Sequence, residues 1–413
     1  PMTNRSPLAD TFRNAGADLL PYGPPATGIE LVESFGELDF EYAALRKACV
    51  LVDRPDRGTI EVTGPDAVGF LQSMITQDVA KIPVHGSASS FWLNKKGRIV
   101  SDMRLTKLPA DAGGEGDVKL VIDLDAHTVA STIESLNAYL IMEEAEMADA
   151  TERTHRFSLH GPTGPALIAA AGAHKAGSSV SDLAAHAACV YEIAGATVVI
   201  TRADSTGGAG LELAMPAESA QAVWDRLVEV GQVPTDSDVH DLPDTPAAKI
   251  KLRPAGWLAY NTARIEAGTP LFLIDFDTES LPGESGLLDS RVSFTKGCYL
   301  GQEIVARMFN LGSPKQRLAG LKPGGDNLRT DEGHPRQPVG GTEVYQDAGP
   351  DGTPIGKPVG AVTSSTISPM NGGEPICLAM VKGDYAEPGT ELFVHAEGAM
   401  LSGTVREGLS FLG

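Results

Sequence analysis

The chain has 413 residues and a formal net charge of −21 at pH 7. It is too long for one compact core, so we expect two or three domains, and a hydrophobic content of 42% supports sizeable cores. The acidity argues against general binding to nucleic acids or anionic membranes, since both require basic protein surface. It does not exclude a local basic pocket for an acidic small molecule.

The first 230 residues carry a strand and helix pattern that occurs twice. Residues 1–30, rich in Pro, Gly and Ala, predict an irregular arm. The first copy is predicted to contain a helix over 41–52, strand 56–64, a helix from 65, a hairpin of 91–94 and 98–105 joined at 95–97, strand 118–122, helix 126–140 and strand 145–150. The second is predicted to contain strand 157–162, helix 164–171, a hairpin of 189–193 and 198–202, strand 211–215 and helix 216–230. We therefore expect two αβ units of similar plan.

A short segment further along, KGCYLGQE at 296–303, concentrates groups that can support chemistry. It contains a candidate nucleophile, a cation, two glycines and two hydrogen-bonding side chains: Cys298, Lys296, Gly297, Gly301, Gln302 and Glu303. An ammonium and a helix N-terminus both stabilise a thiolate, the reactive form of cysteine, and glycines let backbone N–H groups approach a ligand. The alternative is a small buried Cys beside glycines that only shape a turn.

After residue 308 the composition changes to short apolar segments separated by Gly and Pro. Six strands are predicted, over 318–321, 342–345, 356–363, 376–381, 391–394 and 400–406. This pattern is typical of a small β-barrel or sandwich, which we expect to begin near 311–316.

The four cysteines and nine histidines show no metal-binding spacing. Cys49, Cys189, Cys298 and Cys377 are far apart and form no CxxC pair, and the histidines form no HxH or HExxH pattern. We therefore infer no metal and expect a reducing compartment. No apolar run reaches membrane-span length, and residues 1–20 lack a signal-peptide core. These features favour a cytoplasmic protein.

The 296–303 segment resembles the signature of the YgfZ family, folate-binding relatives of the aminomethyltransferase (T-protein) of the glycine cleavage system. Further blocks are similar to the wider superfamily. Residues 94–102 resemble its hairpin with a terminal acidic residue, 263–268 its RLEAG block, and 359–364 with 381–382 its C-terminal barrel. The Cys motif is specific to YgfZ-like members, whereas the other blocks are shared.

The resemblance implies an α+β fold, a T-protein-like ring of three domains around a central hole that holds folate. Residues 1–55 with 151–240 would form the first αβ domain. Residues 56–150 with 241–310 would form the second, which carries the KGCYLGQE motif. Residues 311–413 would form the C-terminal β-barrel domain.

The resemblance also implies folate-binding residues. Asp102 corresponds to the acidic residue near the folate amine that receives the one-carbon unit, where a carboxylate can orient folate or stabilise positive charge. The alternative is an Asp at the end of a solvated hairpin. Arg264 matches the second Arg of the T-protein block, and its guanidinium suits a folate carboxylate or a fixed carboxylate partner. Tyr260 replaces the first Arg, and Glu266 is expected to be structural.

One departure concerns the Glu of the GYTGE-type segment, which in T-proteins grips the pterin ring. Gly208 occupies that position here. A buried carboxylate is the natural match for the donor edge of a pterin, so we expect a weaker or rearranged grip. Glu212, further along, is expected to face elsewhere.

Two functional classes follow. The first is a tetrahydrofolate-binding protein that supports assembly or repair of iron–sulfur proteins, with Cys298 as a functional thiol assisted by Lys296 and the motif residues Gly297, Tyr299, Gly301, Gln302 and Glu303. The second is a tetrahydrofolate-dependent aminomethyltransferase, methyltransferase or demethylase that uses Asp102. The motif and Gly208 favour the first class. A third, weaker alternative is a covalent Cys nucleophile, which requires a His base; the nearest in sequence are His240 and His334.

Overall fold

A computed structural model describes residues 6–110, 117–231, 251–311, 314–325 and 327–412. The chain divides into two compact units. The first unit comprises residues 1–90 and 102–260, and the second comprises residues 91–101 and 261–413.

The helices of the described residues are short. In chain order they are α1 (Ala9–Asn14), α2 (Leu38–Lys47), α3 (Ala67–Met74), α4 (Val129–Asn137), α5 (Gly164–Ala171), α6 (Ala220–Gly231), α7 (Trp257–Glu266), α8 (Leu288–Arg291) and α9 (Gln302–Leu311).

The strands include long central members and short edge members. Up to residue 260 they are β1 (Asp18–Pro21), β2 (Glu30–Ser34), β3 (Cys49–Asp53), β4 (Arg57–Thr63), β5 (Gly86–Leu93), β6 (Ile99–Pro109), β7 (Val118–Asp125), β8 (Glu146–Asp149), β9 (Thr154–His160), β10 (Gly172–Gly177), β11 (Ala188–Ile193), β12 (Ala196–Arg202), β13 (Gly210–Pro216) and β14 (Leu252–Pro254). The later strands are β15 (Gln316–Gly324), β16 (Glu343–Tyr345), β17 (Asp347–Ala348), β18 (Pro354–Ile355), β19 (Gly360–Ser368), β20 (Glu374–Lys382), β21 (Glu391–Ala396) and β22 (Ala399–Val405).

The larger sheet of the first unit has the strand order β10-β11-β12-β13-β9-β3-β14. Adjacent strands of this sheet are antiparallel, except that β14 and β3 are parallel. Residues such as Leu213 on β13 are fully buried in one core with Leu167 of α5 and Leu227 of α6. Helices α5 and α6 thus cover one face of this sheet with apolar side chains.

A second sheet has the order β5-β6-β7-β4-β8, with antiparallel pairing of β6 with β7 and of β4 with both β7 and β8. Strands β5 and β6 form the predicted hairpin. The turn is closed by hydrogen bonds from Asn94 N–H to Arg98 C=O and from Gly97 N–H to Asn94 C=O, 2.9 Å each. The predicted turn at 95–97 is therefore confirmed.

The second unit contains a closed six-stranded barrel with the order β15-β20-β19-β16-β21-β22. Its interior is filled by small and branched side chains, including Val362, Ala379 and Leu392. Each of the six predicted segments overlaps one strand of the barrel, and five of them include the middle of that strand. The α+β class and the C-terminal β-barrel are confirmed, and the alternative of a sandwich is excluded.

A separate apolar cluster in the second unit joins the 91–101 hairpin to residues nearly 200 positions later. Phe91, Leu93 and Ile99 are fully buried against Phe276 and Val305. The ring centroids of Phe91 and Phe276 are 6.1 Å apart at a steep angle, an edge-to-face arrangement. The hairpin is therefore part of the core of the second unit.

Two expectations were wrong near the N-terminus. The predicted helix over 41–52 ends at Lys47, because Cys49–Asp53 is a fully buried strand that pairs with both β9 and β14. Continuous apolar runs are typical of such central strands. The described part of the predicted irregular arm, residues 6–30, is not irregular either. It contains α1 and β1, and Phe12 packs edge-on against Trp224 with ring centroids 4.9 Å apart.

The finer division into three domains stays a prediction. Strand β4 belongs to the first unit and Arg264 to the second. The predicted boundary at residue 240 lies outside the described residues.

Candidate functional site

One face of the β6-β7-β4 sheet is unusually polar. In β4, Arg57 pairs in register with Asp125 of β7, and Thr59 pairs with Asp123. Because side chains alternate along a strand, Asp102 lies on the same face of β6 as Thr106, two pleats away. This arrangement collects charged side chains on one side of the first unit's smaller sheet.

A second polar group lies around Arg54, in the segment between β3 and β4. Arg54 Nε and Nη2 donate to the two oxygens of Asp56 at 2.9 and 2.7 Å, and Nη1 donates to Ser158 Oγ at 3.0 Å. Ser158 Oγ in turn donates to Glu212 Oε2 at 2.9 Å, and the Arg54 guanidinium lies 5.0 Å from the centre of the Tyr260 ring. We call Arg54, Asp56, Ser158, His160, Glu212 and Tyr260 the Arg54–Glu212 cluster.

The two carboxylates of this cluster have opposite electrostatic environments. Burial alone would raise the pKa of Asp56, but the paired Arg54 guanidinium holds that pKa below its ordinary value. Burial raises the pKa of Glu212 above its ordinary value, although Arg54 acts in the other direction. Asp56 is thus a fixed anion, whereas Glu212 is a buried carboxyl whose charge the protein only partly compensates.

His160 completes the cluster. Its side chain is buried, and within the described residues neither ring nitrogen has a hydrogen-bond partner. The imidazole lies 5.2 Å from the Tyr260 ring, centroid to centroid. Burial and the Arg54 charge lower the pKa of His160 to about 3, so the ring is neutral at physiological pH.

Asp123 joins two further arginines next to this cluster. Arg57 Nε donates to Asp123 Oδ1 at 2.8 Å, and Arg156 Nε forms an ion pair with the same oxygen at 3.5 Å. Arg156 Nη2 also donates to Thr59 Oγ1 at 3.0 Å. Burial would raise the pKa of Asp123, but Arg156 and Arg57 lower it to about 2.

Glu212 does not face away from the polar interior, and this corrects the expectation from the sequence. Its exposed fraction is only 9%, and it contacts the buried Ser158. Gly208 lies in an exposed turn, where an added Cβ would meet no atom within 4 Å. The signal that could have revealed Glu212 is its place between Leu211 and Leu213, a charged residue at the middle of a buried strand.

Arg54, Ser158 and His160 were not among the sequence-predicted site residues. The antiparallel pairing of β9 with β13 places Glu212 opposite Ser158. Arg54 follows β3, which pairs with the other edge of β9. A clue in the sequence was Arg54-Pro-Asp56, a buried charge beside its partner at the end of an apolar strand.

In the second unit, the KGCYLGQE segment lies against the 91–101 hairpin. Gly301 has φ +83°, and an added Cβ would lie 3.1 Å from the Asn94 carbonyl oxygen and 3.3 Å from Gly97 Cα. Gly97, with φ +69°, would place a Cβ 2.9 Å from the Ile304 side chain. Two motifs that are 200 positions apart in sequence are therefore in direct contact.

Cys298 differs from the other cysteines of the described chain. It is exposed and precedes α9, which begins at Gln302. Burial raises the pKa of the Cys49 thiol to about 11 and of the Cys189 and Cys377 thiols to about 12. Cys298 is thus the one free thiol on the surface among the described residues.

Two other residues of the motif, Lys296 and Tyr299, contact each other. The Lys296 ammonium lies 5.3 Å from the centre of the Tyr299 ring, a cation–π arrangement, and burial raises the pKa of Tyr299 to about 12. Glu303 is exposed, and Gln302 is half-buried at the start of α9. The predicted stabilisation of the Cys298 thiolate by Lys296 stays a prediction.

The two histidines considered as a base for Cys298 do not strengthen the nucleophile alternative. His240 lies outside the described residues, and His334 is exposed in a turn before the barrel strand β16.

Arg264 is engaged by the second unit itself. Its Nη1 forms an ion pair with Asp275, its Nη2 donates to Ser364 Oγ at 2.6 Å, and its Nε donates to Asn261 Oδ1 at 2.8 Å. The side chains of Arg264 and Asp275 are almost completely buried. This geometry favours the fixed-carboxylate alternative for Arg264.

Glu266, expected to be structural, accepts hydrogen bonds from Ser368 Oγ at 2.5 Å and from Met370 N–H at 3.2 Å. Ser368 is the last residue of the barrel strand β19 and Met370 follows it, so Glu266 connects α7 to the end of that strand.

Among the residues that the structure describes, no helix is long and apolar enough to cross a membrane. Within the same ranges, no group of three or more His, Cys, Asp or Glu side chains could hold a metal ion.

Comparison with protein families gives two matches that together cover most of the chain. Residues 9–296 match the GCVT N-terminal domain, and residues 327–409 match the glycine cleavage T-protein C-terminal barrel domain.

Similar proteins span nearly the same length. A probable aminomethyltransferase from Halobacterium salinarum is 28% identical over 403 residues, 97% of this chain and 96% of the relative. An aminomethyltransferase from Geobacillus kaustophilus is 27% identical over 411 residues, 98% and 97% of the two chains. The crystal structure of glycine cleavage system aminomethyltransferase T from Bartonella henselae superposes with a TM-score of 0.77 at 23% identity, covering 98% of this chain and 96% of the other. This last likeness shows the fold.

Proposed function

Because this chain belongs to the glycine cleavage T-protein family, we propose that it binds tetrahydrofolate and acts as a folate-dependent one-carbon transferase of the aminomethyltransferase or methyltransferase type. The curated relatives that span its full length are named aminomethyltransferases. This proposal reverses the ranking that the Cys motif and Gly208 favoured.

The buried carboxyl of Glu212 is the observation that carries the proposal. Ser158 supplies one hydrogen bond to Glu212, whereas a carboxylate has about four acceptor positions. A pterin edge offers N–H donors that match the remaining positions and would compensate the buried charge. The residues present therefore fit a pterin, and Glu212 takes the place that was expected to be lost at Gly208.

Asp102 is proposed as the residue that acts on the one-carbon unit. Tetrahydrofolate supplies the nitrogen that takes up this unit. A carboxylate at Asp102, on the polar face of β6, stabilises positive charge that develops there and orients the reacting groups. Tyr260 belongs to the same unit as Asp102, and its ring contacts Arg54 and His160.

Calorimetric titration with tetrahydrofolate tests the pterin assignment. Glu212→Gln should weaken binding by roughly ten- to a hundredfold, since the variant leaves a pterin donor poorly paired in a buried site. Glu218→Gln, an exposed glutamate that follows the same strand, is the matched control and should bind like the parent. Equal affinity of Glu212→Gln and the parent would remove the basis of the proposal.

Turnover is measured with tetrahydrofolate and a panel of one-carbon donors. Asp102→Asn should lose at least a hundredfold in turnover while folate affinity changes little, because the lost charge acts on the transition state. A variant that retains full turnover would exclude Asp102 from the chemistry.

The YgfZ-type role in support of iron–sulfur proteins is a second candidate, favoured by the exposed Cys298 beside the hairpin. Under this role, Cys298→Ala should abolish support of iron–sulfur enzymes in cells and leave folate affinity intact. Cys298→Ser is the matched control for size. If Cys298→Ala supports these enzymes as well as the parent, the thiol role is wrong.

A further inference from the structure

The first unit contains a cavity that the proposed folate site does not use. Its volume is about 430 Å³, within the range of small-molecule pockets. It lies between the two sheets and is lined by residues of β4, β6 and β7 on one side and β9, β12 and β13 on the other.

Polarity and burial change along this cavity. Arg153, Thr197 and Glu218 lie at an exposed rim. Thr59 and Arg156 lie at a fully buried inner end. A ligand entering from the rim would therefore pass the exposed charges of Arg153 and Glu218 first. It would reach the Arg156 guanidinium only after leaving solvent, where a charge interaction is strongest.

Arg156 at the inner end has donors to spare. In the part of the chain that the structure describes, its one side-chain hydrogen bond is from Nη2 to Thr59 Oγ1, and its Nε contacts Asp123 only as an ion pair at 3.5 Å. Burial lowers the pKa of Arg156, and the Arg57 and Arg54 charges act in the same direction, whereas Asp123 and Glu212 act in the other. The guanidinium is thus a buried cation whose charge is incompletely compensated.

At the rim, by contrast, Arg153 forms an ion pair with Glu61, which also lines the cavity. Three buried threonines, Thr59, Thr106 and Thr201, also line the cavity, and the Thr59 hydroxyl contacts Arg156 directly. Hydroxyls and a guanidinium fork are the donor set that a carboxylate accepts.

The cavity is distinct from the Arg54–Glu212 cluster. Arg54, Ser158, His160 and Glu212 do not line it. Along β9, Arg156 is one pleat from Ser158 and faces the same side, so the two sites are neighbours with Arg156 at the boundary.

From these observations we propose that the cavity between the two sheets of the first unit binds a small carboxylate, whose anionic group pairs with Arg156 and the threonine hydroxyls at the inner end. The site is independent of folate and holds a second small molecule beside the cluster.

Calorimetric titration of the full-length protein with succinate and acetate tests this site, with inorganic phosphate as the comparison anion and sodium chloride used to hold ionic strength constant. Succinate or acetate should bind and should raise the melting temperature. Arg156→Lys should weaken this binding at least tenfold, since an ammonium lacks the planar fork. Arg153→Lys at the rim is the matched control and should bind like the parent.

A second variant keeps the test independent of the stability of Arg156 variants. Ala214→Phe places a ring in the cavity from β13 and should abolish carboxylate binding while tetrahydrofolate still binds. Binding of neither carboxylate to the folded parent overturns the proposal. Tighter binding of phosphate, or binding that survives both Arg156→Lys and Ala214→Phe, also overturns it. Loss of tetrahydrofolate binding in Ala214→Phe would assign the cavity to the folate site and reject an independent second site.

Discussion

Buried ionisable side chains are the main feature of this protein at the scale of single residues. Glu212 and His160 lie in one cluster with Arg54, and each is displaced from its ordinary titration range by burial. Perturbed groups of this kind concentrate at functional sites, although structural ion pairs such as Arg264 with Asp275 also produce buried charges. The hydrogen-bond partners of each side chain distinguish a functional group from a structural ion pair. Arg264 donates four side-chain hydrogen bonds. Among the described residues, the Glu212 side chain accepts one hydrogen bond and the His160 ring makes none.

His160 predicts a pH dependence of stability. Its pKa is about 3 in the native state and about 6.5 in an unfolded chain. Below pH 6.5 the unfolded chain binds a proton that the native state excludes, so stability falls as the pH decreases from 6.5 towards 3. At pH 5 this amounts to about 2 kcal/mol. His160→Phe, which keeps a ring against Tyr260, should lose about 2 kcal/mol less than the parent between pH 7 and pH 5.

Urea denaturation at the two pH values measures this difference. His334→Phe, at an exposed position, is the control and should follow the parent. If His160→Phe loses as much free energy of unfolding as the parent does, the imidazole is not held neutral by the fold.

At the scale of elements, the contact between the 91–101 hairpin and the turn before α9 explains one of the two motif glycines. Gly301 adopts φ +83° and approaches the hairpin backbone, whereas Gly297 has no atom within 4 Å of an added Cβ. The sequence allows two interpretations of both glycines, the close approach of a ligand or the shaping of a turn. In the structure, Gly301 packs closely against the hairpin, and Gly297 lies in open space.

The two glycines provide a matched pair of variants. Gly301→Ala should reduce the free energy of unfolding by about 1–3 kcal/mol, because alanine is strained at positive φ and its Cβ crowds the Asn94 carbonyl. Gly297→Ala should stay within about 0.5 kcal/mol of the parent. Chemical denaturation measures both, and equal losses in the two variants would contradict the assignment of Gly301.

At the scale of the whole molecule, the chain passes between the two units three times, after residues 90, 101 and 260. The hairpin inserted into the second unit brings Phe91, Leu93 and Ile99 to the core on which Tyr299 and Val305 also pack. Folding of the KGCYLGQE segment therefore depends on residues from the first quarter of the chain.

Phe91→Ala tests this dependence. Removal of a fully buried aromatic ring should cost about 3–5 kcal/mol and increase hydrogen exchange of the amides in 296–305. Phe40→Ala, at a position 62% exposed, is the control and should change neither quantity. Unchanged exchange at 296–305 in a destabilised Phe91→Ala would show that the motif folds without the hairpin.

The sequence by itself determined the local features of this protein. Alternation and turn residues predicted the 95–97 hairpin and segments that overlap all six barrel strands, because these signals depend on neighbours within a few positions. The same signals failed at Cys49–Asp53, where apolar residues suit a helix and a central strand equally and only the partners β9 and β14 decide. Glu212 could not be placed from the sequence, because Ser158, which donates to it, and Arg54, which donates to Ser158, are 54 and 158 positions away from Glu212. The strand pattern also does not show which face of the sheet packs against a second sheet. The contact of Gly301 with Gly97, and the spare donors of Arg156 in the cavity, likewise exist only once distant strands pair and exclude water.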